Sequence, residues 1–122
     1  MQKKIYQKLF GAELIDFNRS GFTVEKNGKQ YHFLFDDEGS YSDWWELSTK
    51  VFFSKNSKEK PIIVDFKIIN KKDKKCVFTL FGMARKPLAQ MSAIFHNDSG
   101  WDYGCVVSLY CKEIDQNEII FD

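Results

Sequence analysis

The chain has 122 residues, of which 43% are hydrophobic and 29% charged, ordinary values for one globular domain that argue against disorder and against a membrane protein. With 18 Lys and Arg against 17 Asp and Glu, the formal net charge is +1, which argues against a strongly basic nucleic-acid binder and a globally acidic mimic of DNA. Aromatic residues make up 16% and favour strands, because flat rings pack well on pleated surfaces. We therefore expect a single domain over residues 1–122.

The first residues, "MQKKIYQKLFGAELIDF", contain neither the apolar core nor the small-residue cleavage site of a signal peptide. No run approaches the roughly 20 apolar residues that a membrane helix needs. Three cysteines without the spacing of a disulfide framework suit a reducing compartment. We expect a cytoplasmic protein that has no contact with a membrane.

The N-terminal segment predicts a short amphipathic helix, because Ile5 and Leu9 are four residues apart and Gly11 would end it; a first edge strand is the alternative. "AELIDF" is then a strand closed by "NRSG". Asn27-Gly28, between two alternating segments, predicts a hairpin with a type I′ turn, since these residues accept positive φ.

The second arm of that hairpin alternates, with Tyr31, Phe33 and Phe35 on one face and His32 and Leu34 on the other. The following "DDEGS" contains acids and a glycine, which stop strands. In "YSDWWELSTKVFF", Ser42 or Asp43 is expected to cap one helical turn carrying Trp44, Trp45 and Leu47, before "KVFF" becomes a strand.

"IIVDFKII" and "CVFTLFG", separated by the basic "NKKDKK", predict a hairpin in the middle of the sheet. Ile62, Val64, Phe66 and Ile68 would share one face of its first arm. "MARKPLAQ" predicts a loop or helical turn, because Pro87 interrupts ladder pairing except at an edge. "MSAIFHN" and "CVVSLYCKEI" are further strands, and "DQNEIIFD" either adds a last strand or frays.

Cys105 and Cys111 are six residues apart, an even separation that places both on one face of a strand together with Val107 and Leu109. They are therefore predicted to be core residues. A zinc site would need more ligands at short spacing, and only His32 and His96 could add to them. We expect no metal and no cofactor.

The turn "NDSGWDYG" has two interpretations. In the structural one, Asn, Asp and Gly shape the turn and Trp101 or Tyr103 covers the core. In the functional one, Trp101, Asp102 and Tyr103 project outward and anchor a partner, because exposed Trp and Tyr bury large rigid surfaces at little entropic cost.

A second aromatic and acidic cluster is "DDEGSYSDWWE". Its carboxylates could line a calcium or magnesium site, but their order does not match the twelve-residue calcium loop. Partner binding is favoured, because neighbours such as Trp44 and Trp45 cannot both face one core. The candidate binding residues here are Asp36, Asp37, Glu38, Trp44 and Trp45.

Catalytic motifs are missing from the sequence: it has no phosphate-binding glycine loop, no G-x-S-x-G and no H-E-x-x-H. A set of Cys105 or Cys111 with His96 and Asp98, and the carboxylate pair of Asp98 and Asp102, are weak candidates for catalysis. Nucleic-acid binding by the lysines of "NKKDKK" beside aromatic faces is a minor alternative, since the net charge is low.

The order of these features resembles that of small uncharacterised β-rich domains of phage and bacterial mobile elements. The resemblance covers residues 12–114 and includes the Asn-Gly hairpin, the acidic "DDEGSYSDWW", the β-rich middle and the turn "NDSGWDYG". The second aromatic stretch departs from the Cys- and Gly-richer versions. The resemblance transfers no catalytic residue; it implies an accessory protein of a mobile element or of a bacterial defence system.

We predict an α+β, β-rich fold with about seven or eight antiparallel strands in a strongly bent sheet or small sandwich, and a short N-terminal helix. The predicted function is that of a non-enzymatic protein that binds another protein, most concretely a phage-type (anti-CRISPR type) inhibitor of a bacterial defence complex. A toxin-immunity protein is the close alternative. A small ligand-binding or hydrolase domain, with the acids and aromatics lining its pocket, is the alternative from another class.

Overall fold

The computed structural model describes residues 3–38, 43–54, 56–71, 74–97 and 105–122, and every structural statement below concerns these residues. They form one short α-helix, two 3-10 turns at 83–85 and 112–114, and nine strands. The elements are α1 Lys4–Gln7, β1 Glu13–Asn18, β2 Gly21–Lys26, β3 Lys29–Asp37, β4 Asp43–Val51, β5 Asp65–Ile69, β6 Cys76–Phe81, β7 Pro87–Asn97, β8 Val107–Cys111 and β9 Gln116–Phe121.

The strands form two antiparallel sheets, one of five strands in the order β1-β2-β3-β8-β9 and one of four in the order β4-β7-β6-β5. This confirms the β-rich class and the short N-terminal helix. Within the described ranges, no helix is long and apolar enough to span a bilayer.

Aromatic side chains join the two sheets. Phe78 on β6 lies 6.0 Å from Phe22 on β2 and 5.9 Å from Phe35 on β3, measured between ring centroids. Trp45 on β4 lies 6.0 Å from Phe121 on β9. Because these rings come from both sheets, the core lies between them, as expected of a small sandwich.

The Asn-Gly hairpin forms as predicted. Asn27 and Gly28 have φ angles of 55° and 77°, and Lys26 pairs with Lys29 across them. Two successive residues with positive φ define the type I′ turn. The predicted alternation on β3 is also confirmed, since three side chains are buried and two exposed: Tyr31, Phe33 and Phe35 against His32 and Leu34.

The N-terminal helix packs against both sheets, on β9 of one and β5 of the other. Ile5 and Leu9 are buried, and Tyr6 stacks on Phe66 of β5 with ring centroids 4.6 Å apart. Burial, and after it the charge of Glu118, raises the pKa of Tyr6 to about 12, because both disfavour the phenolate. The helix thus contributes apolar area to the core despite having only four residues.

One prediction about local structure is wrong. Asp43 caps no helical turn, because β4 begins at Asp43 and pairs with β7 along its whole length; Ser42 lies outside the described residues. Pairing with a strand distant in sequence overrides local preference here. β3 ends within "DDEGS" as predicted, at Asp37, after Asp36 and Asp37 have paired with β8.

The hairpin of β5 and β6 exists, but it does not form the middle of a sheet, since β5 is an edge strand. The single face predicted from Ile62 to Ile68 does not extend before β5. Residues 61–63 pair instead with the chain beside β1, where the Ile63 N–H donates to Ala12 O at 2.8 Å. As a result Ile63 is fully buried and Val64 is 40% exposed.

Candidate functional site

The predicted anchor Trp101, Asp102 and Tyr103 lies outside the described residues, as does Asp98. The chain leaves β7 at Asn97 and re-enters the described structure at Cys105. Asn97 pairs with Asp43 at the start of β4, and Cys105 Sγ lies 3.8 Å from Asp43 O. Asn97 and Cys105, the described residues on either side of positions 98–104, therefore both lie beside the first residue of β4.

The acids Asp36, Asp37 and Glu38 are exposed at the end of β3. Asp37 pairs with Val107, and the Glu38 N–H donates to Val106 O at 2.9 Å. The acidic cluster thus ends next to Val106 and Val107, at the start of β8. Among the described residues, no group of three or more metal-binding side chains is found.

The two neighbouring tryptophans have opposite environments. Trp45 is 3% exposed in the core, and its indole Nε1–H has no hydrogen-bond partner among the described residues. Trp44 is 40% exposed and stacks on His96 with centroids 4.3 Å apart. Since strand residues alternate between faces, Trp44 is the one of these two tryptophans that β4 presents at the surface.

His96 and the cysteines do not assemble a nucleophilic site. His96 Nε2 lies 3.2 Å from Glu46 Oε1, so its described partners are an indole and a carboxylate. Cys105 and Cys111 are buried as predicted, on β8 or just before it, and burial raises the pKa of the Cys111 thiol. A buried thiol with a raised pKa remains protonated and is a poor nucleophile.

A second histidine is held on the outer face of the five-stranded sheet. The His32 N–H donates to Glu113 Oε1 at 2.6 Å, and His32 Nδ1 lies 2.7 Å from Oε2. Burial alone would raise the pKa of Glu113, but these hydrogen bonds outweigh it and hold the pKa below its ordinary value. The pair fixes the 3-10 turn after β8 to β3.

A groove of about 630 Å³ lies between residues 52–54 and 56–62 on one side and the turn 82–88 on the other. The groove was not predicted from the sequence. Met83 beside it is 74% exposed, and Lys60 and Lys86 contribute charge to its lining. Its apolar lining residues are Phe52, Phe53, Pro61, Ile62, Met83, Pro87 and Leu88.

Two backbone contacts shape the groove. The Phe52 N–H donates to Leu88 O at 2.8 Å, and the Gly82 N–H donates to Lys86 O at 2.8 Å. A Cβ on Gly82 would lie 3.0 Å from Leu88 Cδ2, so the absence of a side chain lets the turn approach β7 closely. The two walls of the groove are thereby tied to the start of one strand.

The turn that carries Met83 is strained. Ala84 and Arg85 have φ angles of 58° and 54°, a left-handed conformation that costs a non-glycine residue about 1 kcal/mol or more. Arg85 is held by an ion pair with Asp65 at 3.0 Å and lies over the Phe81 ring at 5.3 Å. Such strain clusters at binding sites, and here it projects an apolar side chain into solvent.

Comparison with known proteins found no match: no family model fits the chain, and no curated protein or solved structure is significantly similar to it.

Proposed function

We propose that the protein is a non-enzymatic binding protein and that the groove receives part of a partner protein. The observation that carries this proposal is Met83, 74% exposed on a strained turn beside the groove. Val51, Phe52 and Val64, which flank the same end of the four-stranded sheet, are also exposed. Contiguous exposed apolar side chains mark interaction sites on folded proteins.

The lining of the groove indicates the chemistry of the partner. Most of its lining is apolar, and the charged residues among the described lining are Lys60, Lys86 and Glu59. A segment with an apolar anchor side chain next to a carboxylate matches this arrangement. The anchor would bury apolar area in the groove, and the carboxylate would meet a lysine.

The binding test replaces Met83 with Asp, which puts a charge where the anchor would pack. The matched control is Ile119→Asp, a change at another exposed apolar residue, on β9. Tagged wild type and both variants are used for capture from bacterial lysate with quantitative mass spectrometry. A partner is a protein retained by wild type and by Ile119→Asp but reduced about tenfold or more by Met83→Asp.

Melting temperatures close to that of wild type would show that both variants fold, since exposed substitutions rarely change stability by much. Equal capture by all three proteins would contradict a role for the groove. Loss of capture in both variants would point to general effects of added charge.

The more specific form of the proposal is an inhibitor of a bacterial defence complex, supported by the resemblance in layout to small phage domains. Expression of the protein in bacteria that target a phage should restore plaque formation, and Met83→Asp should not. A toxin-immunity protein would instead protect cells from a co-expressed toxin and leave plaque counts unchanged.

The predicted anchor Trp101, Asp102 and Tyr103 remains a second candidate surface for the same partner. Trp101→Ala should weaken binding by roughly 2 kcal/mol if the tryptophan is a hot spot. A large loss of stability at unchanged affinity would show instead that it covers the core.

Binding of a small amphipathic molecule is the second candidate function. The groove volume of about 630 Å³ lies within the usual range of ligand sites, although neither Trp44 nor Trp45 lines it. Anilinonaphthalene sulfonate, an apolar anion, is a suitable probe: its fluorescence should rise with wild type and less with Lys86→Glu. Unchanged fluorescence in wild type would contradict this second candidate.

A further inference from the structure

Among the described strands, only β7 pairs with β4, so the outer edge of β4 carries no strand ladder, although β1 of the other sheet approaches β4. β4 has nine residues. The ladder with β7 continues from Asp43 to Val51 without a bulge, and β4 contains no proline. Edge strands are usually protected by shortness, proline, bulges or covering chain, because an exposed edge can pair with another strand.

The other edges have such protection. β1 has an irregular register between Leu14 and Asp16, and the backbone of 61–63 bonds beside it, with the Leu14 N–H donating to Pro61 O at 2.8 Å. β5 has only five residues. The ladder of β9 with β8 shifts register between Val107 and Ser108. β4 is therefore the longest regular edge in the described structure.

The hydrogen bonds of β4 determine which residues face this edge. Phe52, directly after β4, donates its N–H to Leu88 O. Because Val51 is opposite Ala89 in the β4–β7 ladder, Leu88 is the residue opposite Phe52, and these two form a hydrogen-bonded pair. Bonded and non-bonded pairs alternate in an antiparallel ladder. Five residues of β4 consequently direct their backbone N–H and C=O away from β7. They are Asp43, whose carbonyl oxygen already lies 3.8 Å from Cys105 Sγ, and Trp45, Leu47, Thr49 and Val51, whose groups are available for pairing.

The intervening residues direct their side chains to the outer face of the sheet. In order they are Trp44, Glu46, Ser48, Lys50 and Phe52, all exposed. This order is self-complementary around Ser48. Glu46 lies two residues before it and Lys50 two residues after it, and an aromatic ring follows at four residues on each side. We infer that two copies of this chain pair antiparallel through β4 about Ser48, joining two four-stranded sheets into one continuous sheet.

In this register Glu46 lies opposite Lys50 of the second copy, and Trp44 lies opposite its Phe52. These are non-hydrogen-bonded pairs, in which side chains approach most closely. The backbones exchange about eight hydrogen bonds, two for each of four bonded pairs. Glu46 keeps its contact with His96 at 3.2 Å, which orients the carboxylate on the outer face.

Other registers lose this complementarity. Pairing about Glu46 or about Lys50 places like charges directly opposite each other, which destabilises a sheet. Pairing about Leu47 or Thr49 leaves Glu46 opposite Ser48 or Phe52. Only the register about Ser48 pairs both charges and both aromatic rings.

Charge reversal tests the register. Sedimentation equilibrium should give wild type twice the monomer mass of 14.4 kDa. Glu46→Lys alone and Lys50→Glu alone should each weaken self-association by about tenfold or more, because each places like charges across the two-fold axis. The double variant Glu46→Lys with Lys50→Glu should restore the dimer, which a general effect of either substitution would not do.

A disulfide tests the axis directly. Opposite residues of a non-bonded antiparallel pair have Cα atoms about 4.5 Å apart, within the range that a disulfide spans. Ser48→Cys should therefore form an intermolecular disulfide on mild oxidation. The control Lys67→Cys, exposed on the outer face at β5, should not, and the three native cysteines are buried.

Two results would overturn the inference. One is a monomeric wild type at the highest concentration reached, together with no Ser48→Cys disulfide. The other is a dimer that neither charge reversal weakens, which would place the contact on a different surface. Neither result depends on whether the groove binds a partner.

Discussion

Gly21→Ala should destabilise the protein far more than the same change at Gly28. Both glycines have positive φ, +152° and +77°. A Cβ on Gly28 would meet nothing within 4 Å, whereas a Cβ on Gly21 would overlap the carbonyl oxygen of Phe33 and lie 2.9 Å from Leu34 Cα. Gly28→Ala thus measures the backbone cost alone, and Gly21→Ala adds a clash with the neighbouring strand.

The two costs can be estimated from the structure. An alanine in a left-handed conformation costs about 1 kcal/mol, which is all that Gly28→Ala should lose. At Gly21 the start of β2 must also move away from β3. This weakens the Phe35 N–H bond to Ser20 O at 3.0 Å and the Phe22–Phe33 stack at 4.8 Å. Each contributes about 1 kcal/mol, so the total is about 3–4 kcal/mol.

Urea denaturation followed by circular dichroism measures both free energies of unfolding. For a chain of this size 1 kcal/mol corresponds to about 4 °C in melting temperature, so thermal melts give a second measure. Failure of Gly21→Ala to fold would agree with the estimate. Equal destabilisation by the two variants would refute it, because the close approach of β2 and β3 at Gly21 would then have no energetic effect.

Three further predictions follow from burial. Trp45→Ala should lose about 3–5 kcal/mol of unfolding free energy and Trp44→Ala about 1 kcal/mol, and similar losses in urea titrations would contradict their opposite environments. The three cysteines should react slowly with a thiol reagent in the native protein and rapidly in denaturant, and fast native reaction would show that they are accessible. Because the pKa of Tyr6 is raised to about 12, its stabilisation is complete below about pH 10 and is lost as the pH rises toward 12. Wild type should therefore lose about 2 kcal/mol more than Tyr6→Phe over that interval, and parallel alkaline titrations of the two would refute the shift.

Local sequence signals predicted most strands of this fold. The Asn27-Gly28 turn and the alternation along β3 are decided by neighbours in sequence, so they could be read directly. The segment from Asp43 to Leu47 could not, because an Asp before two tryptophans suits a helix cap as well as a strand start. Pairing with β7, about fifty residues later, decided between them.

The groove depended on information that the sequence does not display locally. Its walls come from residues 52–54 and 56–62 and from residues 82–88, which are distant in sequence and are held together by contacts such as the bond from the Phe52 N–H to Leu88 O. The left-handed turn uses Ala84 and Arg85 rather than glycine or asparagine, so turn preferences did not indicate it. The only local signal for the exposure of Met83 was its position between Gly82 and Pro87, two residues that are typical of surface turns.

The two proposals meet at Phe52. This residue lines the groove and, in the dimer about Ser48, lies opposite Trp44 of the second copy. The second copy would therefore add an indole beside the groove and extend its apolar wall. Dimer formation should then strengthen partner binding, whereas an altered groove should leave the dimer intact, because Met83 lies away from the β4 edge on the turn after β6. Glu46→Lys should accordingly reduce both dimer mass and partner capture, and Met83→Asp should reduce capture alone. Full capture by a monomeric Glu46→Lys variant would show that the groove works without the second copy, and would separate the two sites.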